Sequence, residues 1–292
     1  MVERVRYVKD KITIFDVVNT IILLLVTFII IYPLIYIFSI SFSSTVNIVQ
    51  NNVKLLPKGF NIEAYKLVLK DSRIPRSYLN TIIYTTVGTS INLFMTAIAA
   101  YPLSRKNFFG RNFFTKAIIF TMFFNGGMIP NFIVVQRLKL TDTMWALVIP
   151  NAIWTMELLI LKSFYESLPP SLSEAAKIDG ASEYRILFQI MIPLSKAALA
   201  SIALFYFMGH WNSYFIPMLY LNDPKKYPLQ LVLKEMLIYD TAKEPTLMEQ
   251  ARMAPEAMKN ATIVVSMIPV LLVYPFAQKY FVEGVMIGSV KG

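Results

Sequence analysis

The stretch Ile12–Phe38, reading ITIFDVVNTIILLLVTFIIIYPLIYIF, holds a single charged side chain, Asp16, in 27 residues. A bilayer core about 30 Å thick is crossed by about 20 helical residues, so this run predicts a membrane-spanning helix. Arg4, Arg6, Lys9 and Lys11 precede it as they would a signal peptide. The run is longer than an h-region, however, and no small-residue cleavage site follows, so the helix is expected to stay in the membrane.

Outward from that run, five further stretches pass the same test: Tyr78–Leu103, Phe113–Val135, Thr143–Leu161, Lys196–Leu221 and Thr262–Phe281. The expected fold is an all-α integral membrane protein with six transmembrane helices, forming one transmembrane domain over residues 1–292. Composition points the same way, with 56% of residues hydrophobic, 16% charged and a mean hydropathy of +0.54. A soluble domain carries about 25% charged residues, so this chain lacks the charge to cover a water-facing surface. The absence of cysteine excludes a disulfide scaffold, thiol catalysis and cysteine metal sites. His210 is the only histidine, which excludes a multi-histidine zinc site, and no metal site is expected. The net charge of +10 fits basic residues that flank spans and meet anionic lipid headgroups. No aromatic-basic motif points to nucleic acid.

Three connections, Ser39–Ser77, Lys162–Ser195 and Asn222–Ala261, carry charges, prolines or glycines that belong outside hydrocarbon. An even number of spans puts both termini on one side. Arg105, Lys106 and Arg111 in a short connection argue that this side is cytoplasmic, although each of the two presumed outer loops holds six Lys or Arg. Pro33, Pro102, Gly126-Gly127 with Pro130, Pro150, Pro217 and Pro269 interrupt the spans. These breaks fit either a bundle around a cavity or kinks that merely help six helices pack.

The most informative stretch outside the spans is Leu168–Pro193, LPPSLSEAAKIDGASEYRILFQIMIP. Ser171 and Glu174 have the spacing of a capping box, Gly180 suits a left-handed helix terminus, and Ser182 can cap a second helix. Ile186, Leu187, Ile190 and Met191 then form an apolar stripe before Pro193. The pattern predicts a helix, a tight turn and another helix beside the membrane. It serves either to dock another protein closely through Ala175 and Ala176 or to lie as an amphipathic hairpin among headgroups.

Glu174-Ala175-Ala176, then Gly180 and Ile190-x-Ile192-Pro193, resembles the EAA motif of ABC importer permeases, with Ile192 where the family commonly has leucine. Ala100-Tyr101-Pro102-Leu103-Ser104-Arg105 is similar to the Ala-Tyr-x-x-Ser-Arg stretch of maltose-type carbohydrate permeases. Trp145–Pro150 and Trp211-Asn212-Ser213-Tyr214 match family positions in the fourth and fifth spans. The ending Gly284–Gly292 resembles that of the second, shorter permease of such pairs. The resemblance covers nearly the whole chain and is closest to oligosaccharide and polysaccharide permeases of Gram-positive bacteria.

The resemblance implies a non-enzymatic transport subunit of an ATP-driven importer. Its partners would be a second permease in a heterodimer, two ATPase subunits, an extracellular lipid-anchored solute-binding protein, a sugar substrate and membrane lipid. It implies that Glu174, Ala175, Ala176, Asp179 and Gly180 couple the chain to the ATPase. No Gly-x-x-x-x-Gly-Lys-Ser/Thr loop is present, so no cofactor is expected on this chain, and ATP and Mg belong to the partner ATPases. Two other classes remain at this point. An intramembrane hydrolase would rest on His210 alone, and an ion-coupled secondary transporter would have to do without an obvious inverted repeat.

Substrate passage is expected on the fourth and fifth spans. Asn151, Trp154 and Leu158 lie at helical spacings of three and four, with Glu157 beside them. Glu157 either faces a wet cavity or lies near the cytoplasmic end of its span, reaching water past Lys162. Trp211, Asn212 and Tyr214 offer a second aromatic-amide cluster suited to sugar. The Asn222–Ala261 segment, with six acids and six bases, is expected to face outside and meet the binding protein. Six bases in Ser39–Ser77 against Glu63 and Asp71 suit an anionic cargo, an acidic partner or lipid headgroups.

Overall fold

The computed structural model describes residues 13–239 and 255–289, in which every regular element is helical. The chain forms two compact units, Met1–Val68 with Glu244–Val264 and Leu69–Lys243 with Val265–Gly292.

In the first unit, α1 (Ile14–Ser41) begins with a capping box. Thr13 N donates to Asp16 Oδ2 at 2.8 Å, and Asp16 N donates to Thr13 Oγ1 at 3.3 Å. Every side chain from Ile14 to Tyr36 is exposed among the described residues, so α1 presents an apolar surface all round. That is the surface of a helix solvated by lipid. It continues past the expected end at Phe38 because Ser39, Ile40 and Ser41 are buried under the loop that follows. There, beside the short α2 (Thr45–Val49), the Phe42 ring stacks on Phe60 and on Tyr65, with centroids at 5.6 and 4.7 Å. Ser41 Oγ lies 2.7 Å from Tyr65 Oη, on α3 (Glu63–Lys70).

The second unit is organised on α4 (Arg73–Ser104). Its buried face reads Ser77, Thr81, Thr85, Gly88, Asn92, Thr96 and Ala100, small residues three or four apart. Small side chains let neighbouring backbones approach closely where lipid supplies no hydrophobic drive. Against this face pack α8 (Thr155–Ser167) and α12 (Lys196–Trp211), with Leu158, Leu161, Ile202 and Tyr206 in the core. A second cluster gathers Val135, Leu147, Val148, Tyr220 and Leu221.

Three of the spans expected to be interrupted are broken outright. Phe113–Val135 is two half-helices, α5 (Arg111–Phe123) and α6 (Met128–Arg137), at 115°. Gly127 takes φ +89°, and Asn125 Oδ1 accepts its N–H at 2.9 Å, replacing a helical hydrogen bond with a turn. Thr143–Leu161 comprises α7 (Trp145–Val148), a 3-10 turn at Ile149–Asn151 and α8, with a 50° bend. Pro150 cannot donate to the helical ladder, and Trp154 is extended at φ −95°, ψ 129°. Lys196–Leu221 ends its first helix at Trp211 and resumes as α13 (Phe215–Tyr220), because the Pro217 ring would clash with the carbonyl of Ser213 in a continuous helix. Among the described residues, α1 and α4 are long and apolar enough to cross a membrane, and up to five spans result if each bent pair is one.

The described parts of the sequence segment Asn222–Ala261 are helical at both ends. A 3-10 turn at Pro224–Lys226 leads into α14 (Leu229–Tyr239), and the last helix, here α15 (Pro255–Ser289), contains the expected Thr262–Phe281 span. Pro228 and Pro255 stand at helix starts, where a missing N–H leaves nothing unpaired. Asp240, Lys243, Glu244, Glu249 and Arg252 lie outside the described residues, as do the N-terminal bases and residues 290–292.

Candidate coupling site and substrate passage

The segment after α8 forms the expected hairpin, with one correction. α9 is Pro170–Ile178, with Pro169 at its N-cap, so Ser171 is inside the helix and makes no capping box with Glu174. Pro170, with φ already helical, starts the helix ahead of the serine. Ser173 instead bonds back to Pro170 O at 3.1 Å. The far end is as expected: Gly180 takes φ +76°, its N–H meets Lys177 O at 3.0 Å, and Ala181 N–H meets Ala176 O at 2.9 Å. This pair of bonds is a Schellman closure. Ser182 then caps α10 (Glu183–Ile186), its Oγ accepting from Arg185 N at 3.4 Å. A π-helical turn, Leu187–Met191, and the short α11 (Ile192–Leu194) follow, and the chain bends by 81° into α12. Ile186, Leu187 and Met191 are buried, whereas Ile190 is only half-buried.

The knob presents the family residues outward. Glu174, Ala175, Asp179 and Gly180 are exposed and Ala176 is half-buried. Ile178 is 87% exposed at the tip, a large apolar side chain left uncovered by the described residues. A Cβ at Gly180 would meet nothing within 4 Å, so only its backbone angle requires glycine.

The hairpin is fastened to α4 by residues quoted from the sequence for another reason. Arg105 Nη1 donates to Ser173 Oγ at 2.9 Å, and Nη2 donates to Tyr101 Oη at 2.9 Å. The guanidinium also lies over the Tyr101 ring, 4.4 Å from its centroid. Tyr101 Oη donates to Glu183 Oε2 at 2.5 Å, and Lys177 Nζ is 2.6 Å from Glu183 Oε1. Lys177 and the Tyr101 hydroxyl hold the Glu183 carboxyl below its ordinary pKa. The Ala-Tyr-x-x-Ser-Arg stretch thus grips both helices of the hairpin. A hint was present in the sequence, since an arginine and a tyrosine one turn apart at a span end have no need of each other in water.

The expected passage residues fall into separate environments. The side chain of Asn151 is exposed while its carbonyl accepts from Asn92 Nδ2 at 2.7 Å. The Trp154 ring meets Tyr206 edge-on at 4.9 Å, and the Trp154 backbone N–H donates to Tyr206 Oη at 3.3 Å. Because the chain breaks at 152–154, Asn151 and Trp154 do not share one helical face with Leu158. Glu157 lies in the first turn of α8, 8% exposed, near the helical N–H groups that favour a carboxylate. Trp211 is 2% exposed, stacked on Phe207 and against Tyr78, with Nε1 unpartnered among the described residues. Asn212 is exposed, and Tyr214 carries Lys234 Nζ 4.5 Å above its ring. His210 belongs to the Trp154 group: Nε2 is 2.6 Å from Asn92 Oδ1, and its ring packs on Gly88. Its hydrogen bond to Asn92 and its packing on Gly88 make it a packed, hydrogen-bonded histidine.

A family model described as a binding-protein-dependent transport system inner membrane component matches residues 12–287. The chain is 44% identical over 281 residues to Protein LplC of Bacillus subtilis (strain 168), covering 96% of this chain and 95% of that one. It is 41% identical over 273 residues to the polygalacturonan/rhamnogalacturonan transport system permease protein YtcP of the same organism, covering 92% and 96%. Among solved structures it superposes with TM-score 0.86 and 39% identity on a chain of a bacterial ABC transporter involved in the import of the acidic polysaccharide alginate, covering 92% of this chain and 96% of that one.

Proposed function

The chain belongs to the binding-protein-dependent transport system inner membrane component family, and from that premise we propose that it passes fragments of acidic polysaccharide through the membrane. It is a permease subunit of an ABC importer, not an enzyme. The cargo reading is carried by one observation: identity of about two in five residues, over more than nine-tenths of the chain, to relatives whose names specify polygalacturonan and alginate. The basic residues of Ser39–Ser77 support an anionic cargo.

In this reading the chain pairs with a second permease, and two ATPase subunits bind ATP and Mg. A lipid-anchored binding protein delivers sugar on the outer side, where the sequence segment Asn222–Ala261 meets it. Glu174, Ala175, Ala176, Asp179 and Gly180 enter the ATPase groove, and Ile178 adds an apolar contact at their tip. Both termini are cytoplasmic. Asn151, Trp154, Glu157, Trp211, Asn212 and Tyr214 border the passage. Uptake of labelled oligogalacturonate, alginate oligosaccharides and neutral maltodextrins, with and without this chain, tests the proposal. Chain-dependent uptake of either acidic oligomer supports it, and uptake of only the neutral one overturns the acidic cargo.

A further inference from the structure

α4 is held at both ends by side-chain hydrogen bonds to the two segments that the proposed function assigns to opposite partners. At its C-terminal end, Tyr101 and Arg105 hold Glu183 and Ser173 of the ATPase-facing hairpin. At its N-terminal end, Arg76 Nε donates to Lys225 O at 2.9 Å, and Asn80 Nδ2 donates to Lys225 O and Tyr227 O at 2.9 and 3.1 Å. Tyr84 Oη donates to Lys226 O at 2.9 Å, and Leu229 N donates to the buried Thr81 Oγ1 at 2.7 Å. These acceptors lie in the turn that opens the Asn222–Ala261 segment.

Between the two joints α4 runs for 32 residues, about 48 Å at 1.5 Å per residue. Its two prolines, Pro75 and Pro102, stand in the first and last turns, so the body of the helix keeps its hydrogen-bond ladder. Along the way Asn92 holds the α7–α8 break through Asn151 O and bonds to His210, and Thr96 holds Tyr206 at 2.7 Å. Three other helix pairs of this unit are bent, at 50°, 81° and 115°, and α15, although unbroken, carries Pro269 and Pro275 in its interior. A continuous rod transmits displacement along its axis, whereas a bent span absorbs it in the bend. The hairpin joint also has polar atoms in reserve: Arg105 Nε and Tyr165 Oη are buried without partners among the described residues. Tyr165 meets the Tyr101 ring edge-on at 6.4 Å. Unused buried donors suit an element with a second arrangement of its hydrogen bonds.

We propose that α4 is the strut through which ATPase closure reaches the outer turn Pro224–Tyr227, with Tyr101 and Arg105 as positioning residues at one joint and Arg76 and Asn80 at the other. The proposal rests on the functional reading above. The chain has no cysteine, so Lys225→Cys gives a unique labelling position on an exposed side chain whose carbonyl alone serves the joint. The test uses the assembled transporter, with partner subunits free of cysteine and an environment-sensitive fluorophore at position 225, treated with ATP, Mg and vanadate.

The unvaried complex should show a nucleotide-dependent change of emission. Tyr101→Phe and Asn80→Ala should each reduce its amplitude at least about fivefold, the lower end of ordinary coupling between sites, while ATPase co-purification and hydrolysis persist. The double variant should lose no more than the stronger single one, because two breaks in one rod are not additive. An unchanged signal in both single variants, losses that multiply, or no signal in an unvaried complex that hydrolyses ATP would each overturn the strut. Failure of any ATPase to assemble with the unvaried chain would instead overturn the functional reading.

Discussion

Gly209 faces the indole of Trp154 so closely that a Cβ on it would stand 2.1 Å from Cη2. The indole occupies the space a side chain on α12 would take, and this contact sets how near α12 and α8 approach. Gly209→Ala is expected to lower stability by about 1–3 kcal/mol, as overpacking does, read as a drop in the thermal midpoint in detergent. Adding Trp154→Phe, which removes Cη2, should restore part of the loss. No restoration would mean that the contact is not what limits the approach.

Asn92 serves two partners at once, the Asn151 carbonyl and His210. Asn92→Leu should deprive both of this partner, at about 1–3 kcal/mol for each group that water cannot reach. If melting of Asn92→Leu matched that of the unvaried chain, water would have to satisfy those groups. His210→Gln keeps a donor and acceptor on the same side and should preserve uptake, as a packing histidine allows and a catalytic one would not.

Asp142 adopts φ +58° and closes the turn between α6 and α7. Lys226 pairs with its carboxylate, and the N–H groups of Asn222 and Asp223 donate to Oδ1 at 3.0 and 3.1 Å. Lys226 first, and then these N–H groups, hold its pKa at about 2 against 3.8 unfolded. A depressed carboxylate stabilises fully above its unfolded pKa and loses that contribution as pH falls through its folded one. The thermal midpoint of the unvaried chain should therefore fall relative to Asp142→Asn between about pH 4 and pH 2. Asparagine tolerates the left-handed angle, so the comparison isolates charge. Parallel curves for the two proteins would remove the ion pair from the account.

Gly180→Val places a branched side chain at φ +76° in open space, so the cost is backbone strain of about 1–2 kcal/mol rather than collision. Gly180→Asn should be nearly silent, while valine should unwind the Schellman closure and reduce ATPase co-purification. Equal recovery of ATPase with valine and asparagine would separate the hairpin turn from docking.

Hydropathy made the helical membrane fold legible, because about 20 apolar residues in a row have few alternatives. The hairpin was legible where its signals were local. Gly180 and Ser182 act on their own neighbours, and both sit where they were expected. Ser171 did not, because Pro170 one residue earlier competes for the same helix start. Glycines and prolines marked the broken spans, but a kink and a 115° turn differ only in whether Asn125 can take the N–H that the helix gives up. The grip of Arg105 on Ser173 joins residues 68 apart in sequence and was visible only in three dimensions. For the same reason, the sequence could not say what Trp154 and Trp211 each pack against, which is Tyr206 for one and Phe207 for the other.

The π turn Leu187–Met191 makes the aim of the hairpin a matter of residue count. Such a turn holds one residue more than the α-helix around it, and each residue of an α-helix advances the chain by about 100°. Homologous permeases that keep every docking residue but lack one position here would present the knob in another direction. Interchangeability of ATPases among such permeases is therefore governed by the length of this stretch as well as by the chemistry of the docking face.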